Sequence, residues 1–342
     1  MNKVLILNQA DVIDLLPMGA CIEAVEESFL AHARNDVIQP LRPFIKIPED
    51  AGILAMMPGY VGPLEAAGIK VITVYYTNHG TEYDSHQGVV MLFDTINGRL
   101  LTVADASSIT AIRTAAASGV ATRLLSNEAS SSLTIIGSGT QARTHVEAML
   151  AVRPIQTIRV WGRNPDTAAE FAGWARRTFD VPARFVEDIR GALSGADIVC
   201  TTTSSNDPLV LEDMLEPGMH INAVGSSVKF ARELDAGAMK RCRLYVDSRE
   251  SALNESGDLI LAMREGIIND KHIVAEIGEV LDGQRPGRGA TDEITLFDSL
   301  GLAIQDISAA RLIYDRAIAD SRGTMVELGG ARVPLDGPDP AR

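Results

Sequence analysis

The stretch that decides the fold runs Ser132-Leu133-Thr134-Ile135-Ile136-Gly137-Ser138-Gly139-Thr140-Gln141-Ala142. Four apolar or β-branched residues end at a glycine, a second glycine follows two positions on, and an amphipathic stretch, TQARTHVEAMLAV, begins at once. A strand that turns on Gly-x-Gly-x-x-Ala into a helix, with a second strand (TIRVW, 157–161) after it, is the dinucleotide-binding βαβ pattern. Gly137 permits the tight turn. Gly139 lets the backbone approach a pyrophosphate, whose charge meets the amides of the helix N-terminus beside Ser138, Thr140 and Gln141. Ala142 keeps helix and strand close. A glycine-rich turn with no ligand is the bland alternative, and the flanking strand–helix–strand context weighs heavily against it.

Working outward, strands and helices go on alternating. SSLTIIG, QTIRVWG, ARFV, ADIVCTTT, HINAVG and RLYVDS are six strand candidates, and the helical stretch DTAAEFAGWARRTF lies between two of them. That alternation predicts a doubly wound parallel sheet of Rossmann type over residues 126–298. Upstream the pattern differs. Helical spacing covers about 18–34, and RPFIKI, ILAMMP, GIKVITVYY, GVVMLFD and RLLTVAD read as β-strands, antiparallel in the main. The alanine-rich segment 106–125 reads as a helix linking the two regions. After about 298, SLGLAIQDISAARLIYDRAIADS reads as a long helix that packs back on the first region. The expectation is therefore an α/β chain in two domains. Residues 1–125 with 299–328 form an α+β substrate-binding and dimerisation domain, residues 126–298 form the Rossmann domain, and 329–342, rich in Gly and Pro, form a disordered tail. No internal repeat is visible.

Composition bounds the function. The 342 residues are 46% hydrophobic, enough for a sizeable core, and the formal charge is -14. So acidic a surface repels phosphate backbones, which argues against nucleic acid as a partner. No segment approaches the length of a membrane span, and the apolar run near the N-terminus is too short for a signal peptide. A cytoplasmic location follows as an expectation. Cys21, Cys200 and Cys242 are odd in number and widely spaced, which suits small buried apolar residues in a reducing compartment. The six histidines show no metal-ligand spacing, so no metal is expected.

The end of the second strand bears on the cofactor. NAD enzymes place Asp or Glu there for the ribose hydroxyls. Here the chain reads Trp161-Gly162-Arg163-Asn164, with no acid. Arg163 can pair with a 2′-phosphate, so NADP(H) is favoured and NAD(H) remains possible; a solvated loop arginine is the alternative. Asn164 beside it, and Thr202 at the end of ADIVCTTT, are also assigned to the cofactor. In the first region Arg42, Lys70 and Arg113 stand among apolar neighbours. Each alone reads as structural. Together they suggest a clamp for a substrate carboxylate. Met56, Tyr76 and His86 join the expected substrate pocket, although His86 serves equally well as a hydrogen-bonded structural residue. Asp306 could support the site or cap a helix.

At this point the sequence resembles the ornithine cyclodeaminase/mu-crystallin family. The residues that carry the resemblance are QPLRP (39–43), MMPGY (56–60), Lys70, SHQGVVMLFD (85–94), ITAIRTAAAS (109–118), IGSGTQA (136–142), HINAVGSS (220–227), ESGD (255–258), IGEVLDG (277–283) and EITLFDSLGLAIQD (293–306). The resemblance implies a homodimer. It implies that Arg42, Lys70 and Arg113 hold the substrate carboxylate and that Thr114 lies near the cofactor phosphates. It also implies that Val224 and Gly225 lie beside the nicotinamide, with Ser299 and Leu300 approaching from the other side. Cyclodeaminases of the family carry an acid just after the segment matching Val224–Ser226; this chain has Ser227 there. With that departure, the mu-crystallin branch is the better match. The implied activity is NADPH-dependent reduction of a small, cyclic α-imino acid, with Ser227 among the substrate contacts. A cyclodeaminase-type lyase, an alanine dehydrogenase and a non-enzymatic ligand binder are the alternatives.

Overall fold

A computed structural model describes residues 3–78 and 81–330. Its strands form two eight-stranded sheets. The first contains β1 (Lys3–Leu7), β2 (Val37–Ile38), β3 (Phe44–Ile47), β4 (Gly52–Val61), β5 (Ala66–Val74), β6 (His86–Asp94), β7 (Leu100–Asp105) and β16 (Thr324–Glu327). Its order is β16-β1-β7-β6-β5-β4-β2, with β3 on β4. The long β4–β7 meander is antiparallel, as expected, whereas β1 joins β7 in parallel. Alternation dictates this: β5 buries Ala66, Gly68, Lys70, Ile72 and Val74 on one face.

The second sheet holds β8 (Ser132–Ile136), β9 (Thr157–Trp161), β10 (Ala183–Phe185), β11 (Ile198–Thr201), β12 (His220–Ala223), β13 (Arg243–Val246), β14 (Ile273–Glu276) and β15 (Thr295–Asp298). Its order is β10-β9-β8-β11-β12-β15-β13-β14, and every pairing is parallel. This is the doubly wound Rossmann sheet. All six strands read from the sequence are in it. β14 and β15 were not foreseen, although β15 sits inside the sheet, between β12 and β13.

The helices are α1 (Gln9–Leu15), α2 (Met18–Ala33), α3 (Ala106–Leu125), α4 (Thr140–Val152), α5 (Pro165–Phe179), α6 (Ile189–Leu193), α7 (Ala236–Arg241), α8 (Arg249–Glu255), α9 (Gly257–Arg264), α10 (Ile277–Leu281) and α11 (Ala303–Ala319). Helix α3 spans the stretch expected of it and is buried on nearly every side. Its alanines, and Gly119 against Ile22, let α2 and α4 approach closely. One apolar core accordingly runs from β1 and α2 through α3 to α4 and β8. Helix α11 packs on β4, β5 and β6, as the sequence suggested. It starts at Ala303 rather than at Ser299, because Gly301 takes φ +80°, which no helix accommodates. β16, also unforeseen, pairs antiparallel with β1. The tail expected to be disordered lies, from residue 331 on, outside the described residues. Among those residues no helix is long and apolar enough to cross a membrane.

Candidate active site

Helix α11 brings a carboxylate to the basic residues of the first sheet. Gly59 on β4 and Gly68 on β5 stand opposite each other. Cβ atoms added there would lie 3.0 Å and 3.1 Å from Ile307. The helix therefore rests almost on the strand backbones. Immediately before Ile307, Asp306 is fully buried and takes Lys70 Nζ at 2.8 Å and Arg113 Nε at 2.9 Å. Arg113 Nη1 also donates to Gln305 Oε1 at 2.9 Å. Lys70 and Arg113 are 2% and 4% exposed, so two cations share one anion in a nearly dry site. Burial lowers the Lys70 pKa to about 7. Asp306 opposes that shift and the Arg113 and Arg42 guanidinium groups add to it. Asp306 is thus the residue that joins the basic set, a role the sequence left level with helix capping.

Arg42 approaches from the other side. Its Nε and Nη2 form a two-point contact with the Glu255 carboxylate at 2.9 Å and 2.7 Å, and Nη2 donates to the Leu300 carbonyl at 3.0 Å. Glu255, the last residue of α8, was quoted in the ESGD marker but given no role. Gly301 adjoins Arg113: a Cβ on it would stand 2.4 Å from Nη1. Arg42 and Arg113 therefore meet at the Ser299–Leu302 connection, and Lys70 joins Arg113 through Asp306.

The remaining expected substrate contacts separate. Met57, not Met56, pairs with Lys70 across β4 and β5, so Met56 points to the opposite sheet face and does not join Lys70 within this chain. His86, at the start of β6, pairs with Val74 and shares the face of Lys70, four residues along the strand. Its Nδ1 stands 2.9 Å from Ser85 Oγ. Ser227 is half-buried on the connection after β12, and among the described residues its hydroxyl makes no hydrogen bond. The neighbouring Ser226 donates to Asp258 Oδ2.

The second sheet presents its strand ends to the same region. Gly137 has φ +122°, and a Cβ there would meet Thr202 Oγ1 at 2.7 Å; only glycine makes this turn. Gly139 is the N-cap of α4 and supplies no side-chain cap, and nothing lies within 4 Å of where its Cβ would stand. Gln141 Oε1 is buried without a partner. An open approach to uncapped helix amides beside Ser138 and Thr140 fits a dinucleotide pyrophosphate. Thr114 is buried in α3, directly after Arg113. Arg163, at the end of β9, is exposed and makes no ion pair among the described residues. The Asn164 side chain is spent in part on capping α5, accepting from Asp166 N and Thr167 N.

Buried acids suspend the connections after β11, β12 and β15. Glu233 accepts from Thr201 Oγ1, Thr203 N, Thr203 Oγ1 and Gly225 N, all within 2.7–2.8 Å. It thereby ties the Val224–Gly225 turn to β11. Asp258 accepts from the Glu233 and Leu234 amides, and burial pushes its pKa up to about 7. Asp247 accepts from Leu300 N at 2.8 Å and Gly301 N at 2.7 Å; burial raises its pKa to about 6. Asp258 stands in the ESGD marker of the sequence, but none of these three acids was given a role there.

A wholly parallel sheet with a glycine turn at an uncapped helix, whose β13 and β15 ends reach the connections beside Arg42 and Arg113, defines a Rossmann-fold protein. The chain belongs to the ornithine cyclodeaminase/mu-crystallin family, whose model matches residues 2–321. It is 39% identical over 294 residues to the ketimine reductase mu-crystallin of Mus musculus, covering 86% of this chain and 90% of that one. The structure of Thermococcus litoralis Δ1-pyrroline-2-carboxylate reductase in complex with NADH and L-proline is similar, with a TM-score of 0.92 and 38% identity. That match covers 94% of this chain and 100% of the other. An archaeal alanine dehydrogenase dimer with bound NAD matches with a TM-score of 0.90 and 31% identity, over 96% and 100% of the two chains.

Proposed function

We propose that this protein is an NADPH-dependent reductase of the C=N bond in a small, cyclic α-imino acid, of the Δ1-pyrroline-2-carboxylate or Δ1-piperideine-2-carboxylate type. The observation that carries the reading is the Lys70–Asp306–Arg113 group, one positive charge in excess when Lys70 is protonated, buried beside the strand ends of a nucleotide-binding sheet. A desolvated cation in excess attracts a carboxylate far more strongly than a surface one does. The relatives named ketimine reductase and Δ1-pyrroline-2-carboxylate reductase support the reaction class.

A bound nicotinamide cofactor would supply the hydride; Gly137–Ala142 and the start of α4 would hold its pyrophosphate, and Arg163 would take the 2′-phosphate. Arg113 and Arg42 orient the substrate carboxylate, Arg42 yielding part of its contact with Glu255. Lys70 exists in both protonation states near neutrality and gives its proton to the imine nitrogen; Asp306 then holds the neutral amine in place. The near-complete burial of this group keeps water away from the electrophilic carbon. Ser227, where a cyclodeaminase would need a carboxylate base, favours reduction over ring closure with ammonia loss. A homodimer belongs to the proposal. Ile38, Phe44 and Ile45 are more than half exposed on β2 and β3, and the archaeal alanine dehydrogenase is a dimer.

The test is an NADPH-oxidation screen over cyclic and linear imino acids, with ornithine and alanine offered to the oxidised cofactors. Fastest turnover is expected with a cyclic ketimine. Proline and ammonia in equal amounts from ornithine would overturn the reading.

A further inference from the structure

The Ser299–Leu302 connection brings the ends of the second sheet to both arginines. It leaves β15 of the second sheet and enters α11, which covers the first. The Leu300 carbonyl accepts from Arg42 Nη2, and Gly301 lies against the Arg113 guanidinium, where no side chain has room. The Ser299 amide is held by the Ala223 carbonyl, and the Leu300 and Gly301 amides by the side chain of Asp247, at the end of the neighbouring strand β13, through one oxygen that accepts both. The other oxygen accepts from Ser248 N at 2.9 Å, so the carboxylate cannot swing. Ser248 in turn caps α8, whose last residue, Glu255, grips Arg42. Arg42 is thus held from two directions, and both trace back to Asp247–Ser248.

We propose that Asp247 is a positioning residue of the site: it touches neither substrate nor cofactor, and it sets the orientation of Arg42 and Arg113 by pinning the Leu300–Gly301 backbone between them. This rests on the reductase reading for its kinetic consequence, though not for the pinning itself. A buried carboxylate accepting three amides defines a backbone position more tightly than packing does, because each misplaced amide loses a charge-assisted bond. An aspartate is required rather than a neutral isostere only on the Ser248 side. An asparagine can turn its carbonyl toward Leu300 and Gly301 and keep both of those bonds.

Three variants and two readouts test this. Asp247→Ala releases the connection, Asp247→Asn retains it, and Gly301→Ala crowds the connection from the Arg113 side with the Asp247 side chain in place. The first readout needs no substrate. Hydrogen exchange of the 299–302 amides should accelerate roughly tenfold or more in Asp247→Ala, stay near wild type in Asp247→Asn, and leave β11 and β12 unchanged. The second is steady-state kinetics with the imino acid the wild type reduces best. KM should rise roughly tenfold in Asp247→Ala and in Gly301→Ala, as expected for a lost orienting contact, with NADPH affinity within about threefold. Asp247→Asn should restore KM. A merely structural role would lower the active fraction, hence kcat, at constant KM. Unchanged exchange at 299–302, unchanged KM, or an Asp247→Asn as impaired as Asp247→Ala overturns the proposal. Failure of the wild type to reduce any imino acid overturns the reductase reading instead, and the exchange result then decides the pinning by itself.

Discussion

Gly59 and Gly68 face each other across β4 and β5, and the space their missing side chains leave is filled by Ile307 of α11. This pair sets the height of the helix above the sheet, and with it the 2.8 Å contact between Asp306 and Lys70. A Cβ at 68 would also stand 2.7 Å from the Met91 carbonyl, which cannot move without breaking the meander. Gly68→Ala should therefore cost about 1–3 kcal/mol, the usual penalty for overpacking. Thermal unfolding should show it as a lowered Tm. An unchanged Tm would mean that α11 can lift freely, and the packing argument would be wrong.

Proton donation by Lys70 has a pH dependence whose sign follows from its pKa of about 7. The donor must carry its proton, and the protonated fraction falls as pH rises through 7. The rate kcat/KM should fall with it. Lys70→Arg keeps a cation that does not titrate in this range, so its profile should be flat there at a lower plateau. Asp306 raises the Lys70 pKa. Asp306→Asn should accordingly move the descending limb to lower pH, and should destabilise the fold by about 3–5 kcal/mol by leaving two buried cations uncompensated. A limb that stays put in both variants assigns the ionisation to another group.

Arg163 is exposed and unpaired by any acid among the described residues, which leaves its guanidinium available to a 2′-phosphate. Its loss in Arg163→Ala should weaken NADPH binding by on the order of 1.5–3 kcal/mol, tenfold to more than a hundredfold, with NADH binding little changed. Fluorescence titration of both cofactors checks this. The Thermococcus litoralis relative was solved with NADH, so a wild type that prefers NADH is the result that would sink the assignment.

Ser227 separates reduction from cyclodeamination. A hydroxyl needs an activating partner to act as a base, and among the described residues the Ser227 hydroxyl has no carboxylate bonded to it, Asp258 being bonded to the neighbouring Ser226. The wild type should release no ammonia from ornithine with either oxidised cofactor. Ser227→Asp should slow imine reduction, since a second carboxylate would repel the one on the substrate in a confined site. Coupled ammonia assays and NADPH oxidation on both proteins measure the two effects; faster reduction by the variant would contradict the repulsion.

The strand–glycine–helix pattern at 132–142 and the alternation after it were legible because each element repeats its own period over enough residues. β15 was not. Thr295–Asp298 is four residues long and buried on both faces, so it offers no alternation to read, and nothing local says that it enters the sheet between β12 and β13. The site divided along similar lines. A lysine amid GI and VITVYY announces itself, because a charge in an apolar strand needs a partner. The partner does not: Asp306 lies on a helix 236 positions further on, and only the three-dimensional packing of α11 pairs them. Asp247 was given no role for a related reason: its hydrogen bonds go to backbone amides, which have no sequence identity, and the partners of Glu233 and Asp258 lie up to 32 residues away. Met56 was misplaced by one residue of register, which in a strand means the opposite face.

Both sheets are completed by the last fifth of the polypeptide. β15 fills the interior position between β12 and β13, and β16 closes the outer side of β1. A nascent chain that has emerged only as far as residue 290 would therefore expose two raw strand edges in the middle of its nucleotide-binding half and would lack the helix that covers the other half. Neither half can mature ahead of the other during synthesis. For this architecture the ribosome delivers the parts in order, but assembly waits for residues 295–327. The interval before they emerge is when the chain is open to mispairing with its neighbours and to capture by chaperones.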